Sequence, residues 1–173
     1  ILFIIVLVST FTFNIISNAH EELQEKNHTL KTDYTNNQKE LIKNHVNYII
    51  NFIDYYNETN KNKKSEALIQ KEVLEIIEKL RVNENPNEYI FIYDFNGNLV
   101  QDAIAKKDNI GHNYLNIKDI KGKEVVKELI TTSKRNLGGY VEYVWLKPEI
   151  SKQTTKISYA LSYNKWNWTI GKG

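Results

Sequence analysis

The chain has 173 residues, neither Cys nor Met, and a net charge of +2. This length suits one domain able to bury about 70 % of the surface its unfolded chain would expose. The charge is too small for the footprint of a nucleic-acid binder, and the lack of Cys removes disulfides and every thiolate zinc site.

The chain opens Ile1-Leu2-Phe3 without an initiator Met, as expected of a fragment of a longer protein. Residues 1–17 are apolar and carry no charge. A bilayer crossing takes about 20 such residues, so a transmembrane helix, or part of one, is expected here. The rival reading is a signal-peptide core of ~7–15 apolar residues, for which Ser17-Asn18-Ala19 is a poor cleavage match. His20, Glu21 and Glu22 follow with no Lys/Arg cluster, which puts this flank outside by the positive-inside rule. The localisation expected is the inner membrane, with the soluble part periplasmic.

The first Pro is Pro86 and the first Gly is Gly97, so everything upstream can be helical. Residues 18–38 are polar and thinly patterned, Ile16, Leu23 and Leu30 falling seven apart. They read as a helical juxtamembrane stalk, and a homodimer is expected. From Lys39 the pattern sharpens: Leu41 or Ile42, Val46, Ile49, Ile53 and Tyr56 recur at helical steps. After a polar break over 57–64, Ser65 is placed to cap a second helix through Leu68 or Ile69, Val73, Ile76, Ile77 and Leu80.

Beyond Pro86 the period becomes two. Tyr89, Phe91 and Tyr93 alternate with Ile90 and Ile92, predicting a strand apolar on both faces. Asn96-Gly97 predicts a two-residue hairpin turn with positive φ at both positions, leading to a strand over 98–101. Residues 103–121 look irregular. A helix through Val125, Val126, Leu129 and Ile130 comes next, then strands over 140–146, 156–163 and 166–170. The sum is an α+β domain over 39–173, with helices on a face of one antiparallel, PAS-like five-stranded sheet.

No catalytic constellation is present. Asp94-Phe95-Asn96-Gly97-Asn98 resembles the start of a calcium loop but has Ala105 where the bidentate acid belongs. His20, His28, His45 and His112 show no metal-ligand spacing, and there is no phosphate loop or nucleophile elbow. No enzyme activity, cofactor or metal is expected, and no nucleic acid as partner.

Several segments in order carry a likeness: Leu80-Arg81, Glu88-Tyr89-Ile90-Phe91-Ile92-Tyr93-Asp94 with Asn96-Gly97, Lys118-Asp119 with Gly122, Gly139 to Trp145, Lys156-Ile157-Ser158-Tyr159, and Trp166 to Gly171. In these the chain resembles a Cache sensor domain of the single-Cache type from about Leu41 to Gly173. The resemblance implies an extracytoplasmic sensor in a chemoreceptor, sensor histidine kinase or cyclic-dinucleotide enzyme. It also implies a second span after Gly173 and a small-molecule ligand, often a short carboxylate such as acetate, propionate, lactate or pyruvate. One departure stands out: where relatives commonly carry His-Pro after the second strand, this chain has Gln101-Asp102. That departure keeps open a second reading, the same fold as a ligand-free interaction or dimerisation module.

The candidate site residues are Lys156, Tyr143, Trp145, Tyr89, Arg81 and Tyr159. Lys156 either meets a ligand carboxylate or is an exposed, salt-bridged strand lysine. The aromatics either wall a pocket for a small anion or belong to the core. Arg81 suits a carboxylate bidentately, and equally suits the carbonyls ending the second helix. Lys156 and Tyr159 are three apart, so a regular strand points them to opposite faces and only one can line the pocket; Lys156 is preferred.

Overall fold

The structure, a computed structural model, describes residues 2–80, 89–102, 107–147 and 152–173. Its elements in chain order are α1 (Leu2–Asn60), α2 (Glu66–Leu80), β1 (Ile90–Asp94), β2 (Leu99–Asp102), α3 (Val125–Ser133), β3 (Gly139–Lys147), β4 (Lys152–Tyr163) and β5 (Trp168–Lys172). Contacts divide the chain into two units, 1–38 and 39–173.

In the first unit the helix shows its apolar side chains to solvent, Phe3, Phe11, Phe13, Ile16, Leu23 and Leu30 among them. Among the described residues no helix is long and apolar enough to cross a membrane. The transmembrane helix expected over 1–17 is thus not seen in these residues.

In the second unit the sheet is antiparallel throughout, in the order β2-β1-β5-β4-β3. One face receives the helices. Ile42, Val46, Ile49 and Ile53 of α1 and Ile69, Val73 and Ile77 of α2 are buried against Ile92, Tyr159, Tyr163, Trp168 and Ile170. The helical period selects Ile42 over Leu41 and Ile69 over Leu68, since only one of each adjacent pair can face the sheet. Ser65 precedes α2 as expected, its hydroxyl accepting the Leu68 N–H at 3.4 Å. Polar ties bind the helices at the margin: Tyr56 donates to Glu72 at 2.9 Å, and Lys165 reaches Asp54 at 2.6 Å and Glu58 at 2.9 Å.

The other face is covered as well, which the expectation of helices on one face did not include. Val125, Val126, Leu129 and Ile130 of α3 pack with Tyr89, Phe91, Tyr93, Val141, Tyr143 and Ala160. This close cover uses small residues in the sheet. A Cβ on Gly171 would lie 2.3 Å from the Phe91 ring, so only glycine lets that ring cross β5.

The hairpin differs in detail from the expected two-residue turn. Gly97 has φ 88°, but Asn96 does not have positive φ. The Gly97 N–H donates to the Asp94 carbonyl at 3.0 Å and the Asp94 N–H to Asn98 at 2.9 Å, enclosing a three-residue loop, Phe95-Asn96-Gly97. Asp94 explains the choice: its carboxylate accepts the N–H groups of Asn96 and Asn98, each at 2.9 Å, and the Asn98 amide at 2.7 Å. Strand ends also move. β4 begins at Lys152, four residues before the expected start, and Trp166 sits in a 3-10 turn ahead of β5.

Candidate functional site

Alternation along the strands sends Tyr89, Phe91 and Tyr93 to the α3 side of the sheet and Ile92 to the α1/α2 side. On β3 the same rule places Tyr143 and Trp145 beside them, and the two rings meet edge to face with centroids 5.7 Å apart. Directly across from Tyr143 in the β3–β4 ladder is Lys156. Its ammonium lies 3.6 Å from the centroid of the Tyr89 ring, a cation–π contact. Tyr143 shares a buried hydrogen bond of 2.8 Å with Ser158, which is two residues along the same face of β4.

These side chains enclose a cavity. Tyr89, Phe91, Tyr93, Asp102, Tyr143 and Trp145 line it from the sheet, and Val125, Val126 and Leu129 close it from α3. It measures about 10 Å3, close to the least that holds one water molecule. Burial pushes the phenols of Tyr89, Tyr93 and Tyr143 above their ordinary value, and the Asp102 carboxylate pushes each the same way. All three are therefore neutral hydroxyls at physiological pH, able to donate as well as accept. The arrangement is apolar-walled, with a few convergent hydroxyl, indole and ammonium donors. Among the described residues no group of His, Asp or Glu is placed to hold a metal ion.

Of the six candidates from the sequence, Lys156, Tyr143, Trp145 and Tyr89 come together here. Tyr159 does not. It faces α1 in the opposite core, stacks edge-on with Tyr140 at 5.1 Å and donates to the Leu137 carbonyl. The three-residue offset from Lys156 is decisive, because β4 runs without a break in its pairing to β3. Arg81 lies outside the described residues.

Sequence reasoning also missed members of this site. Phe91, Tyr93 and the α3 side chains read as core in a linear pattern, although the shared parity of Tyr89, Phe91 and Tyr93 could have grouped them. The Gln101-Asp102 pair divides between the faces: Gln101 donates its amide to the Leu74 carbonyl of α2 at 3.1 Å, whereas Asp102 lines the cavity. Strand alternation would have shown that only one of the two could face a ligand.

A five-stranded antiparallel sheet covered on both faces, with a walled cavity under α3, defines a PAS-like sensor domain. The chain belongs to the family described as single Cache domain 2, which it matches over residues 34–173. Two relatives fit that membership. The sensor histidine kinase MctS of Rhizobium johnstonii is 38 % identical over 85 residues, covering 49 % of this chain and 18 % of the relative. The methyl-accepting chemotaxis protein McpP of Pseudomonas putida is 28 % identical over 110 residues, covering 63 % of this chain and 20 % of the relative. The chain thus spans about a fifth of the length of the curated relatives it matches. A solved structure described as the structural basis for carboxylic acid recognition by a Cache chemosensory domain shares the fold. Its TM-score is 0.71 at 23 % identity, covering 82 % of this chain and 95 % of that one. Domains of this family are the extracytoplasmic sensors of membrane receptors and kinases, and the domain itself is non-catalytic.

Proposed function

We propose that the chain is the periplasmic ligand-binding domain of a membrane-anchored chemoreceptor or histidine kinase, and that its ligand is a small organic anion of the short-carboxylate class. The observation that carries this reading is the Lys156 ammonium standing over Tyr89, beside a cavity walled by Tyr143 and Trp145. A carboxylate drawn there finds a cation, neutral hydroxyl donors and an indole, with ring faces and α3 excluding water. The Cache neighbour described as recognising carboxylic acids supports the ligand class by its likeness in fold. Binding would act on signalling by favouring one arrangement of the helix that begins at Lys39, through unequal affinity for two states.

A melt of the chain with a panel of two- to four-carbon acids tests this. A saturating ligand at a hundredfold excess over its Kd adds about 2.7 kcal/mol to stability, visible as a rise in Tm. Lys156→Ala is expected to abolish the rise. Lys152→Ala, at an exposed position, and Tyr159→Phe, on the opposite face, should leave the rise unchanged. A rise that survives Lys156→Ala would move the anion site elsewhere.

A second reading rests on the size of the cavity, about 10 Å3. At that size the same fold serves as an interaction or dimerisation module without a ligand. A panel that shifts nothing, with the chain dimeric in solution, selects it.

A further inference from the structure

In the second unit, Ile42, Val46, Ile49 and Ile53 of α1 are buried against the sheet, and the far side of the helix is bare. Leu41, Tyr48 and Tyr55 stand on that bare side at steps of seven, and they are 48 %, 70 % and 71 % exposed. Seven residues are close to two full helical turns, so the three draw one nearly straight stripe. Asn44 and Asn51, also exposed, fall three residues after Leu41 and Tyr48 and lie between the apolar layers. Single exposed apolar side chains are ordinary, and Ile110, Ile120 and Leu137, in three separate loops, are of that kind. On α1 they recur instead with the period by which paired helices bury a common face.

The pattern defines its own partner. A stripe of this period is complementary to a copy of itself, each layer meeting the same layer across a two-fold axis. The asparagines point the same way. A side-chain amide both donates and accepts, and the same amide of a second copy supplies both partners. A polar layer within a helix pair also fixes its register and the number of strands. At the Tyr55 end charge does not oppose association: Asp54 and Glu58 are held by Lys165 at 2.6 Å and 2.9 Å, so two copies do not bring bare acids together.

We propose that α1 pairs with α1 of a second copy of this chain, in parallel and in register, along Leu41, Asn44, Tyr48, Asn51 and Tyr55. The pairing is independent of the ligand reading. Its parallel direction rests on the membrane anchoring proposed above, which gives two copies the same orientation. Because the opposite side of α1 carries the core against Trp168 and Ile170, the pair joins two sheets through adjacent helices.

Two heptads are about 21 Å of helix and make a weak pair, so the test traps the contact covalently. The chain has no Cys, and single introduced cysteines report cleanly. In the 173-residue chain, Asn44→Cys and Asn51→Cys are each expected to form a disulfide-linked dimer on mild oxidation, at least tenfold faster than Lys71→Cys on the exposed side of α2. Adding Tyr48→Glu to either variant should slow linking at least tenfold, whereas Leu137→Ser, similarly exposed but off the stripe, should not. A melt matching wild type shows that Tyr48→Glu acts on pairing and not on folding, and Tyr48→Ser replaces it should the charge disturb the helix. If neither cysteine links faster than Lys71→Cys, the pairing is overturned. If they link only when the two variants are mixed, the copies are antiparallel and the register falls. If linking survives the Tyr48 substitutions, the stripe is not the contact. None of these outcomes touches the melt with the acid panel, so the ligand reading stands or falls separately.

Discussion

At Gly97 the backbone has φ 88°, and a Cβ built there would lie 2.7 Å from the Leu115 Cβ and 2.9 Å from its backbone. Both strain and collision oppose any side chain, most of all a β-branched one. Gly97→Val should cost more than about 1 kcal/mol, which for a chain of this size is a fall in Tm of about 2–4 °C or more. An unchanged melt would mean that the loop can reorganise freely. Asp119 is a second such residue. Its Oδ1 accepts the N–H groups of Lys121 and Lys123 and its Oδ2 that of Val144, each at 2.9 Å, so it pins the loop before α3 to edge strand β3. The bond from Val144, joined by those from Lys123 and Lys121, holds its carboxyl below the ordinary value of 3.8 despite partial burial. The lowered folded value stabilises the fold above the ordinary value, and this contribution disappears as pH falls through the folded value. Asp119→Asn replaces one acceptor with a donor facing the Val144 N–H. It should lower Tm at pH 7 and flatten the acid limb of the stability profile below about pH 4. A variant whose Tm tracks wild type from pH 7 to pH 3 would sink the argument.

Among the elements, α1 shows how much a helical pattern conveys. Its period put Val46, Ile49 and Ile53 on one face, and that face is the buried one. Ile53 is fully buried and Tyr55 is 71 % exposed, two residues apart on the same helix. Ile53→Ala should therefore destabilise by about 2–5 kcal/mol, whereas Tyr55→Ala should change stability by no more than about 0.5 kcal/mol. Denaturant midpoints measure both, and equal effects would mean that the helix is rotated from the face described. Strands were legible in the same way, through Tyr89, Phe91 and Tyr93 against Ile90 and Ile92. Their ends were not, because Lys152, Gln153 and Thr154 at the start of β4 carry no apolar alternation. They are in a strand because they pair with Lys147, Leu146 and Trp145.

For the molecule as a whole, the buried core of the second unit draws on α1 only from Ile42 onward. Residues 1–17 contribute exposed side chains to the other unit. A chain starting near His20 is expected to stay soluble and to melt cooperatively, which calorimetry at several protein concentrations checks. Aggregation cured only by restoring 1–17 would show that the apolar segment belongs to the fold of the domain. The two-sided cover of the sheet belongs to this scale too. With α3 on one face and α1 and α2 on the other, the cavity under α3 and the buried face of α1 sit on opposite sides of one sheet. Strand β1 joins the two sides directly, with Phe91 and Tyr93 lining the cavity and Ile92 packed against the helices.

The sequence by itself determined the helices, the strand order of apolar parity and the PAS-like class, because each depends on a short-range period that burial imposes on neighbouring residues. It also separated Lys156 from Tyr159, since parity is a local rule. Tertiary structure alone decided which aromatic groups wall the cavity, and that Asp102 rather than Gln101 faces it. It likewise decided that α3 closes the second face. Those facts arise from pairing between strands distant in the chain, β1 with β5 and β3 with β4, and no periodicity within a segment encodes which distant segment will lie beside it.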